Sequence, residues 1–403
     1  MAAPAISLLS SIAGLILVGG CSEPAVPPPD HVEVRDSAGI PILTFRKAGL
    51  EERWILEPEP EWVLGELREP NGVMDLYAVV DAELLDGGLV ALAEGSTYQV
   101  VISGVDGKVV RRLGRAGDGP GEFRQIGAVV GLPEGRIGVW DPERDRYSEF
   151  DAAGVLVFET EVALPAGAVR SNSPLTTGGG PGRDHLWIGA FPVMRPPPGM
   201  ERFRSEGAIV RLTNPGDTLA VVPGLVTTRL RVGTGGIRYS AAPRLAGDPA
   251  GVWIGDTHEP EVRLLGEDGG LRRIVRWEWD EDRVFGPAEQ AAYWASIERQ
   301  MNRKPPVGAL ADTLPAFDYL MAGGGRLWIL VFPADPAEGR FQSLPRTWMV
   351  CEFEKLSCGR IATPADFYPA RVGVDYVLGK QLDEMGVETV GKYRLRTVEK
   401  PAR

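Results

Sequence analysis

Short apolar runs, broken at regular intervals by glycine, proline and aspartate, dominate the chain. The clearest unit covers residues 128–159, where four such runs are separated by tight turns, among them Pro133-Glu134-Gly135 and the turn at 151–154. Runs of about four to eight residues between turns of this kind are typical of antiparallel strands in a meander. The unit shows no apolar residues at helical spacing. The pattern therefore predicts four consecutive β-strands.

The same unit recurs about every forty residues. Further copies lie at 79–110, 182–222, 244–279, 318–361 and 371–396. Tandem four-stranded meanders of this length are typical of β-propellers, in which each repeat forms one blade. The sequence therefore predicts an all-β fold, a six-bladed β-propeller of four-stranded antiparallel blades that occupies residues 31–403.

The segment leading into the clearest unit carries a recognisable motif. Residues 117–123 read Gly-x-Gly-Pro-Gly-Glu-Phe, and Val139-Trp140-Asp141 follows within the unit. This combination resembles the NHL-type six-bladed propellers, especially the bacterial lipoprotein branch known only as "6-bladed beta-propeller" proteins. The closing segment at 375–388 is similar to that branch. The resemblance covers about residues 32–398, and it implies a fold without implying a reaction.

The N-terminus predicts export and lipid attachment. Residues 1–20 carry no charged side chain, and their apolar centre is too short to span a bilayer. Val18-Gly19-Gly20-Cys21 resembles a bacterial lipobox, which predicts a signal peptide over 1–20 and lipidation of Cys21. A plain signal peptide with an incidental cysteine is the alternative. Residues 21–30 are proline-rich and predict an extended tether, and Ser22 resembles an outer-membrane sorting signal, which predicts a lipid-anchored, extracytoplasmic protein facing the periplasm.

Two segments stand outside the repeats. Residues 31–45 predict a hairpin, which we expect to pair with the C-terminal blade so that an N-terminal strand closes the ring and removes free sheet edges. Residues 54–65 are expected to lead into the first blade. Residues 287–303 predict a short helix with a moderate apolar stripe of Ala291, Trp294, Ile297 and Met301. It is expected to pack over one rim of the propeller, as structural packing or as a partner surface.

Net charge limits the classes of ligand, and the cysteines suggest a covalent link. The formal net charge is −12, which argues against nucleic acid as a ligand and against binding to anionic lipid by charge. Cys351 and Cys358 flank the two-residue turn Glu354-Lys355, so the hairpin places them opposite each other. In an oxidising compartment they could form a disulfide, and two free buried thiols are the alternative.

Candidate catalytic residues are few. Three strands that we expect to be the inner strands of their blades end in an acid (Glu94, Asp141 and Asp256), and His258 follows the last of these as a candidate base. Such acids could surround a calcium ion in the central channel, as in a hydrolase or lyase similar to gluconolactonases. The matching positions in the third and fifth blades are instead apolar, Phe-Pro in both. The chain has only three histidines, too few for a zinc centre with several channel-facing histidines.

Two functional hypotheses follow. The favoured one is a binding module without a cofactor, which holds a protein, peptide or glycan where loops of several blades converge on one face. The alternative is a divalent-metal hydrolase or lyase that works in the channel. Convergent buried acids on the channel strands would favour the enzyme, and a filled channel would favour the binding module.

Overall fold

A computed structural model describes most of the propeller region. It covers residues 31–47, 50–65, 76–162, 168–169, 186–192, 202–212, 220–231, 239, 241–278, 284–301, 310–332 and 345–398, with only the backbone described for 168–169 and between 186 and 231. The predicted signal peptide, the tether and Cys21 lie outside these residues. In the described part the chain is built from β-strands and a single α-helix.

The first half of the chain forms three N-terminal strands and three meanders. The N-terminal strands are β1 (Val32–Ser37), β2 (Ile40–Phe45) and β3 (Trp54–Leu64). The first meander contains β4 (Val79–Leu85), β5 (Leu89–Glu94), β6 (Gln99–Gly104) and β7 (Val109–Leu113). The second contains β8 (Ala128–Gly131), β9 (Ile137–Asp141), β10 (Arg146–Phe150) and β11 (Leu156–Glu161). The third contains β12 (Ala168–Val169), β13 (Leu186–Pro192), β14 (Arg202–Leu212) and β15 (Ala220–Arg231).

The second half continues this arrangement with one helical insertion. The fourth meander contains β16 (Pro243–Asp248), β17 (Gly251–Asp256), β18 (Glu261–Leu265) and β19 (Leu271–Trp277), and helix α1 (Pro287–Met301) follows it. The fifth contains β20 (Phe317–Gly323), β21 (Arg326–Val331), β22 (Arg346–Glu352) and β23 (Ser357–Thr363). The chain closes with β24 (Phe367–Val372), β25 (Tyr376–Leu382) and β26 (Glu388–Thr397).

These strands form a β-propeller with four-stranded antiparallel blades, as the repeat pattern predicts. In the described residues five sheets have four strands each, and one sheet has six strands in the order β1-β2-β19-β18-β17-β16. First strands of successive sheets lie side by side, β16 with β20, β20 with β24, β24 with β4, and β4 with β8. Apolar side chains from facing sheets fill the space between them, with Trp253, Trp328 and Trp348 almost fully buried.

The two sides of the propeller are defined by strand direction. In every sheet the first strand begins, and the second strand ends, on the side that we call the upper face. Hydrogen bonds between sheets confirm that these ends coincide: the carbonyl of Thr257, after β17, accepts from the amide of Ala316, just before β20, at 2.6 Å. Helix α1 lies on the upper face. The lower face carries the turns between first and second strands, for example Asp86–Gly88 between β4 and β5, and those between third and fourth strands.

The N-terminal strands have other partners than predicted. The expected pairing of the 31–45 hairpin with the C-terminal blade is wrong, because β2 pairs in parallel with β19, from Ile274↔Ile42 to Trp277↔Phe45. The buried side chains of Val32, Leu43 and Phe45 join a core cluster with Val275 and Trp277. Burial of this apolar side, which the local pattern does not assign to any blade, decides the position of the hairpin.

Strand β3, expected to lead into the first blade, is instead the fourth strand of the C-terminal sheet. It pairs antiparallel with β26 from Val390↔Leu64 to Thr397↔Trp54. Opposite charges line this pairing: Glu61 Oε2 lies 2.8 Å from Lys392 Nζ and Glu61 Oε1 lies 3.0 Å from Arg394 Nη2. The acidic strand and the basic strand therefore select each other.

Helix α1 covers Pro287–Met301 of the predicted 287–303, and residues 302–303 lie outside the described residues. Its predicted apolar stripe is wrong in part, since Ala291 is exposed while Tyr293 is buried. Tyr293 packs with Phe285, Leu314 and Phe332, and Trp294 and Ile297 are partly buried against them. The helix thus packs on the upper face between the fourth and fifth sheets through an aromatic cluster.

A buried ion cluster joins three first strands. Arg371 on β24 donates through Nη1 to Asp81 Oδ1 at 2.7 Å, and through Nε to Glu83, both on β4. Its Nη2 donates to the carbonyl of Val129 on β8 at 2.7 Å, and the amide of Val129 donates to Asp81 Oδ2 at 3.0 Å. Burial alone would lower the pKa of Arg371, but the two carboxylates outweigh it and raise the pKa above its ordinary value. The guanidinium is therefore charged and connects three blades.

Replacing Arg371 tests the weight of this cluster. We expect Arg371→Ala to lower the free energy of unfolding by about 3 to 5 kcal/mol, because it leaves buried carboxylates without their cation. Arg394→Ala, which removes a half-exposed partner of Glu61, should cost less than about 1 kcal/mol. Urea denaturation of both variants and the wild type measures these changes in the free energy of unfolding.

Neutralising the acids provides a second control on the same cluster. Adding Asp81→Asn and Glu83→Gln to Arg371→Met should restore part of the lost stability, since no buried charge then remains uncompensated. Equal losses of unfolding free energy in Arg371→Ala and Arg394→Ala would show that the buried cluster contributes no more to stability than an exposed ion pair.

Candidate functional site

The three predicted acids occupy the same place in three different sheets, and each caps a turn on the upper face. Glu94 ends β5 and is buried. Its Oε1 accepts from the amide of Tyr77 at 2.8 Å, and its Oε2 accepts from the hydroxyls of Ser96 and Thr97, both at 2.8 Å. The carboxylate thus stabilises the turn after β5 and the approach to β4.

Asp141 plays the same part after β9 and is fully buried. Its Oδ1 accepts from the amides of Glu143 at 2.9 Å and Arg144 at 3.2 Å, and its Oδ2 accepts from the amide of Arg124 at 2.8 Å. Aspartate commonly bonds the backbone two residues ahead in this way. Three backbone donors occupy this carboxylate.

Asp256 and His258 stabilise the corresponding turn after β17. Asp256 Oδ1 accepts from the amide of His258 at 3.0 Å. The Nε2 of His258 lies 2.6 Å from the carbonyl oxygen of Tyr239, which can only accept, so Nε2 carries the proton. In the neutral ring Nδ1 then accepts from the hydroxyl of Thr313 at 3.3 Å. His258 therefore connects its blade to the segments that support helix α1.

The structure does not gather these residues into one centre. Glu94, Asp141 and Asp256 lie in three separate sheets, and each is engaged by donors in or beside its own turn. Their expected position on inner strands is wrong, because each ends a second strand and the strands that lie side by side between sheets are the first strands. Among the described residues, no group of three or more histidine, cysteine, aspartate and glutamate side chains has the arrangement to hold a metal ion.

Two acids that do lie among the first strands were not predicted. Asp81 and Glu83 alternate along β4 with apolar neighbours and are both 5% exposed. An alternating acid pair on a first strand, together with Arg371 in the apolar strand β24, was a signal available in the sequence. The partner could not be read there, because the acids and Arg371 are almost three hundred residues apart.

One cavity on the upper face, the acidic cavity, lies where the second sheet meets its entering loop. It has a volume of about 520 Å³ and is lined by Asp118, Arg124, Glu143, Arg144, Asp145, Glu161 and Val162. Four carboxylates against two guanidinium groups give it a negative balance. Asp118 Oδ1 accepts from Arg124 Nε at 2.6 Å, and this bond from Arg124 lowers the pKa of Asp118.

The glycine-rich motif contributes Asp118 to the lining of the acidic cavity. Glu122 Oε2 accepts from the amide of Gly119 at 2.8 Å, and the amide of Phe123 donates to the carbonyl of Arg115 at 2.8 Å. Gly114 has a φ of +74°, and a Cβ there would overlap the ring of Phe123. The motif is therefore a compact connection between two blades that folds around the buried Phe123.

A second cavity on the upper face, the apolar cavity, lies where the first and last sheets meet. It has a volume of about 340 Å³ and is lined by Gly65, Leu76, Tyr77, Ala78, Met385, Gly386, Val387 and Glu388. Tyr77 and Met385 are 62% and 82% exposed, although both are large apolar side chains. Glu388 Oε1 accepts from Lys380 Nζ at 2.9 Å, which neutralises the carboxylate beside the cavity.

The lower face carries a covalent link. Cys351 and Cys358 pair directly across β22 and β23 and form a disulfide, with a Cα–Cα distance of 4.1 Å. Both are fully buried against the core cluster of the fourth and fifth sheets. The bond secures a hairpin on the side away from both cavities.

No helix within the described ranges is long and apolar enough to cross a membrane.

No family model matches the chain, and no curated protein matches it. Its fold nevertheless resembles solved structures. A member of the DUF4221 family from Bacteroides vulgatus superposes with a TM-score of 0.55 at 9% identity, over 86% of this chain and 100% of that chain. At such identity the likeness concerns the fold alone.

Two further solved structures are similar at a lower level. One is described as an exported protein of Bacteroides fragilis, with a TM-score of 0.47 and 10% identity over 89% of this chain and 100% of that chain. The other is virginiamycin B lyase from Staphylococcus aureus, with a TM-score of 0.40 and 12% identity over 86% of this chain and 100% of that chain. At these TM-scores neither bears on the activity of this chain.

Replacing Asp141 separates a structural role from a catalytic one. We expect Asp141→Ala to lower the free energy of unfolding by about 2 kcal/mol, because three partly buried backbone amides lose their acceptor. Glu143→Ala, at an exposed position of the same turn, should change it by less than about 0.5 kcal/mol. Thermal and urea unfolding of both variants provide the measurement, and an Asp141→Ala variant as stable as the wild type would contradict the capping role.

Proposed function

We propose that this protein is a lipid-anchored, extracytoplasmic β-propeller of NHL type, with six blades, that binds a protein, peptide or glycan on its upper face. Its role is that of a binding scaffold without a resident cofactor. The anchor is Cys21, after a signal peptide at 1–20, and the tether at 21–30 holds the propeller at the outer membrane on the periplasmic side.

The sheet composition supports six blades in a closed ring. The six-stranded sheet contains a complete meander, β16 to β19, to which the hairpin β1–β2 is added. Counted with the five four-stranded sheets, it supplies a sixth blade. Strand β3 completes the sheet of β24 to β26, so the last blade combines strands from both ends of the chain. Arg371 then connects that blade to β4 and β8, which supports closure between the last and first blades.

The observation that carries the binding function is the state of the two buried acids on the first strand β4. Asp81 and Glu83 share the buried guanidinium of Arg371, which compensates one of their two negative charges, so both carboxylates are engaged within the fold. The acids at the second-strand ends stabilise their own turns. Meanwhile the upper face offers two open cavities of contrasting chemistry at blade junctions, where binding sites of loop-rich scaffolds are usually found.

The apolar cavity provides the anchor point of this face. Exposed aromatic and methionine side chains beside a pocket are typical of residues that contribute strongly to binding. Tyr77 and Met385 flank the apolar cavity in this way. The acidic cavity adds charge selectivity and favours ligands with basic groups.

Metal dependence distinguishes the scaffold from the channel enzyme. We expect purified protein comprising residues 31–403 to contain no stoichiometric divalent metal and to unfold at the same Tm in calcium and in EDTA. The reason is that no group of carboxylates among the described residues is arranged to hold a metal ion. Elemental analysis and differential scanning fluorimetry measure both quantities. A bound divalent ion with a large calcium-dependent rise in Tm would contradict the scaffold and favour the hydrolase.

Ligand capture tests the upper face. Immobilised protein is incubated with solubilised envelope extract, captured components are identified by mass spectrometry, and each is measured again in purified form. We expect Tyr77→Ala and Met385→Ala each to weaken the affinity about tenfold, the loss typical of a central contact residue.

A matched control lies on the other side of the disc. Val155, 59% exposed at the lower face, is as accessible as Tyr77. Val155→Ala should leave the affinity unchanged. Equal losses in the upper-face variants and in Val155→Ala would place the site elsewhere, and failure of every purified component to bind would reject the scaffold.

A further inference from the structure

The chain enters the propeller from the upper face. Strand β1 begins at Val32, which pairs with Phe45, and Phe45 pairs with Trp277 at the end of β19. These three residues mark the upper end of the six-stranded sheet, close to the start of helix α1. The amide of Arg46 donates to the carbonyl of His31 at 2.9 Å, which secures the first described residue at that end.

This exit point is fixed by the core. Val32, Leu43 and Phe45 are at most 5% exposed. The amide of Glu278 donates to the carbonyl of Phe45 at 2.8 Å, and Glu278 Oε2 accepts from the amide of Lys47 at 3.0 Å. Moving the hairpin would break this pairing and expose buried side chains, so the exit point moves only with the blade.

The chain between the exit point and Cys21 is short. Residues 21–30 can span at most about 36 Å even when fully extended. The blade itself is about 20 Å from upper to lower face, as strands of six residues require. An anchor at Cys21 therefore keeps the upper end of this sheet within about 36 Å of the lipid. If the lower face were turned to the membrane, about 20 Å of that length would be needed to pass the blade.

We propose that the lipid anchor turns the upper face toward the membrane, so that both cavities open to the membrane and the disulfide hairpin points away. This orientation rests on the proposed anchor at Cys21. It also identifies the kind of partner: a protein held in the same membrane, because the space beneath the upper face is no deeper than the tether.

The charge of the upper face favours a membrane protein over the lipid itself as its ligand. The acidic cavity has four carboxylates and two guanidinium groups, and the chain as a whole has a formal net charge of −12. Anionic headgroups are attracted by clusters of lysine and arginine and repelled by a negative surface. The upper face therefore stands off the bilayer and accepts the extramembrane part of a membrane protein, for which basic groups suit the acidic cavity and an apolar side chain suits the apolar cavity.

The orientation can be measured on the lipidated full-length protein in liposomes with acceptor-labelled headgroups. Single cysteines are introduced at Met385→Cys on the upper face and Ala152→Cys on the lower face, both exposed, and are labelled with a donor dye. The native pair Cys351 and Cys358 is disulfide-bonded and does not react. We expect clearly stronger energy transfer to the bilayer from position 385 than from position 152. Equal transfer, or stronger transfer from position 152, overturns the orientation.

Two controls separate the orientation from the anchor and from lipid binding. A long flexible Gly/Ser insertion after Asp30 should abolish the difference between the two positions. Cys21→Ala should release the protein from membranes; if the wild type carries no lipid, the anchor and the orientation both fail, whereas a lipidated protein with equal transfer rejects only the orientation. Transfer from position 385 that rises with anionic lipid content would show that the face binds lipid, which overturns the membrane-protein partner.

Discussion

The buried guanidinium of Arg371 is the interaction on which the arrangement of the first strands depends. It ties β24 to the acids of β4 and to the backbone of β8, so one side chain fixes the relation of three blades. A buried cation must be paired, and so must buried acids, so neither partner can be lost alone. The same pairing engages both carboxylates of β4 within the fold.

The N-terminal part of the chain secures the other half of the propeller from outside. The hairpin β1–β2 covers the edge of β19, residues 51–53 bond the edge of β23 through Arg360, and β3 completes the last sheet. Each of these contacts occupies backbone groups that an open sheet edge would leave exposed. The segment that protects these sheet edges begins on the upper face, where the carbonyl of His31 accepts from the amide of Arg46.

The sequence predicts the strands well because their signals are local. Turn residues such as Pro133, and the short runs between the turns, identify each blade without reference to the rest of the chain. The partners of β2 and β3 could not be predicted in this way, since their selection depends on burial against Trp277 and on charges of β26 that lie hundreds of residues away. The helix shows the same limit: periodicity indicates its position, but the aromatic cluster around Tyr293 decides which side is buried.

The candidate site illustrates why acids in a sequence are ambiguous. Asp141 and Asp81 are both buried aspartates in adjacent blades, yet one accepts three backbone amides and the other accepts from an arginine of a distant strand. A carboxylate that stabilises a turn and one that could bind a metal have the same spacing relative to a strand end. Only the hydrogen-bond donors around the carboxylates distinguish the two. For Asp141 these donors are backbone amides, and for Asp81 they include the guanidinium of Arg371. On the upper surface Tyr77 and Met385 remain exposed, although an isolated propeller gains nothing from leaving large apolar side chains in water.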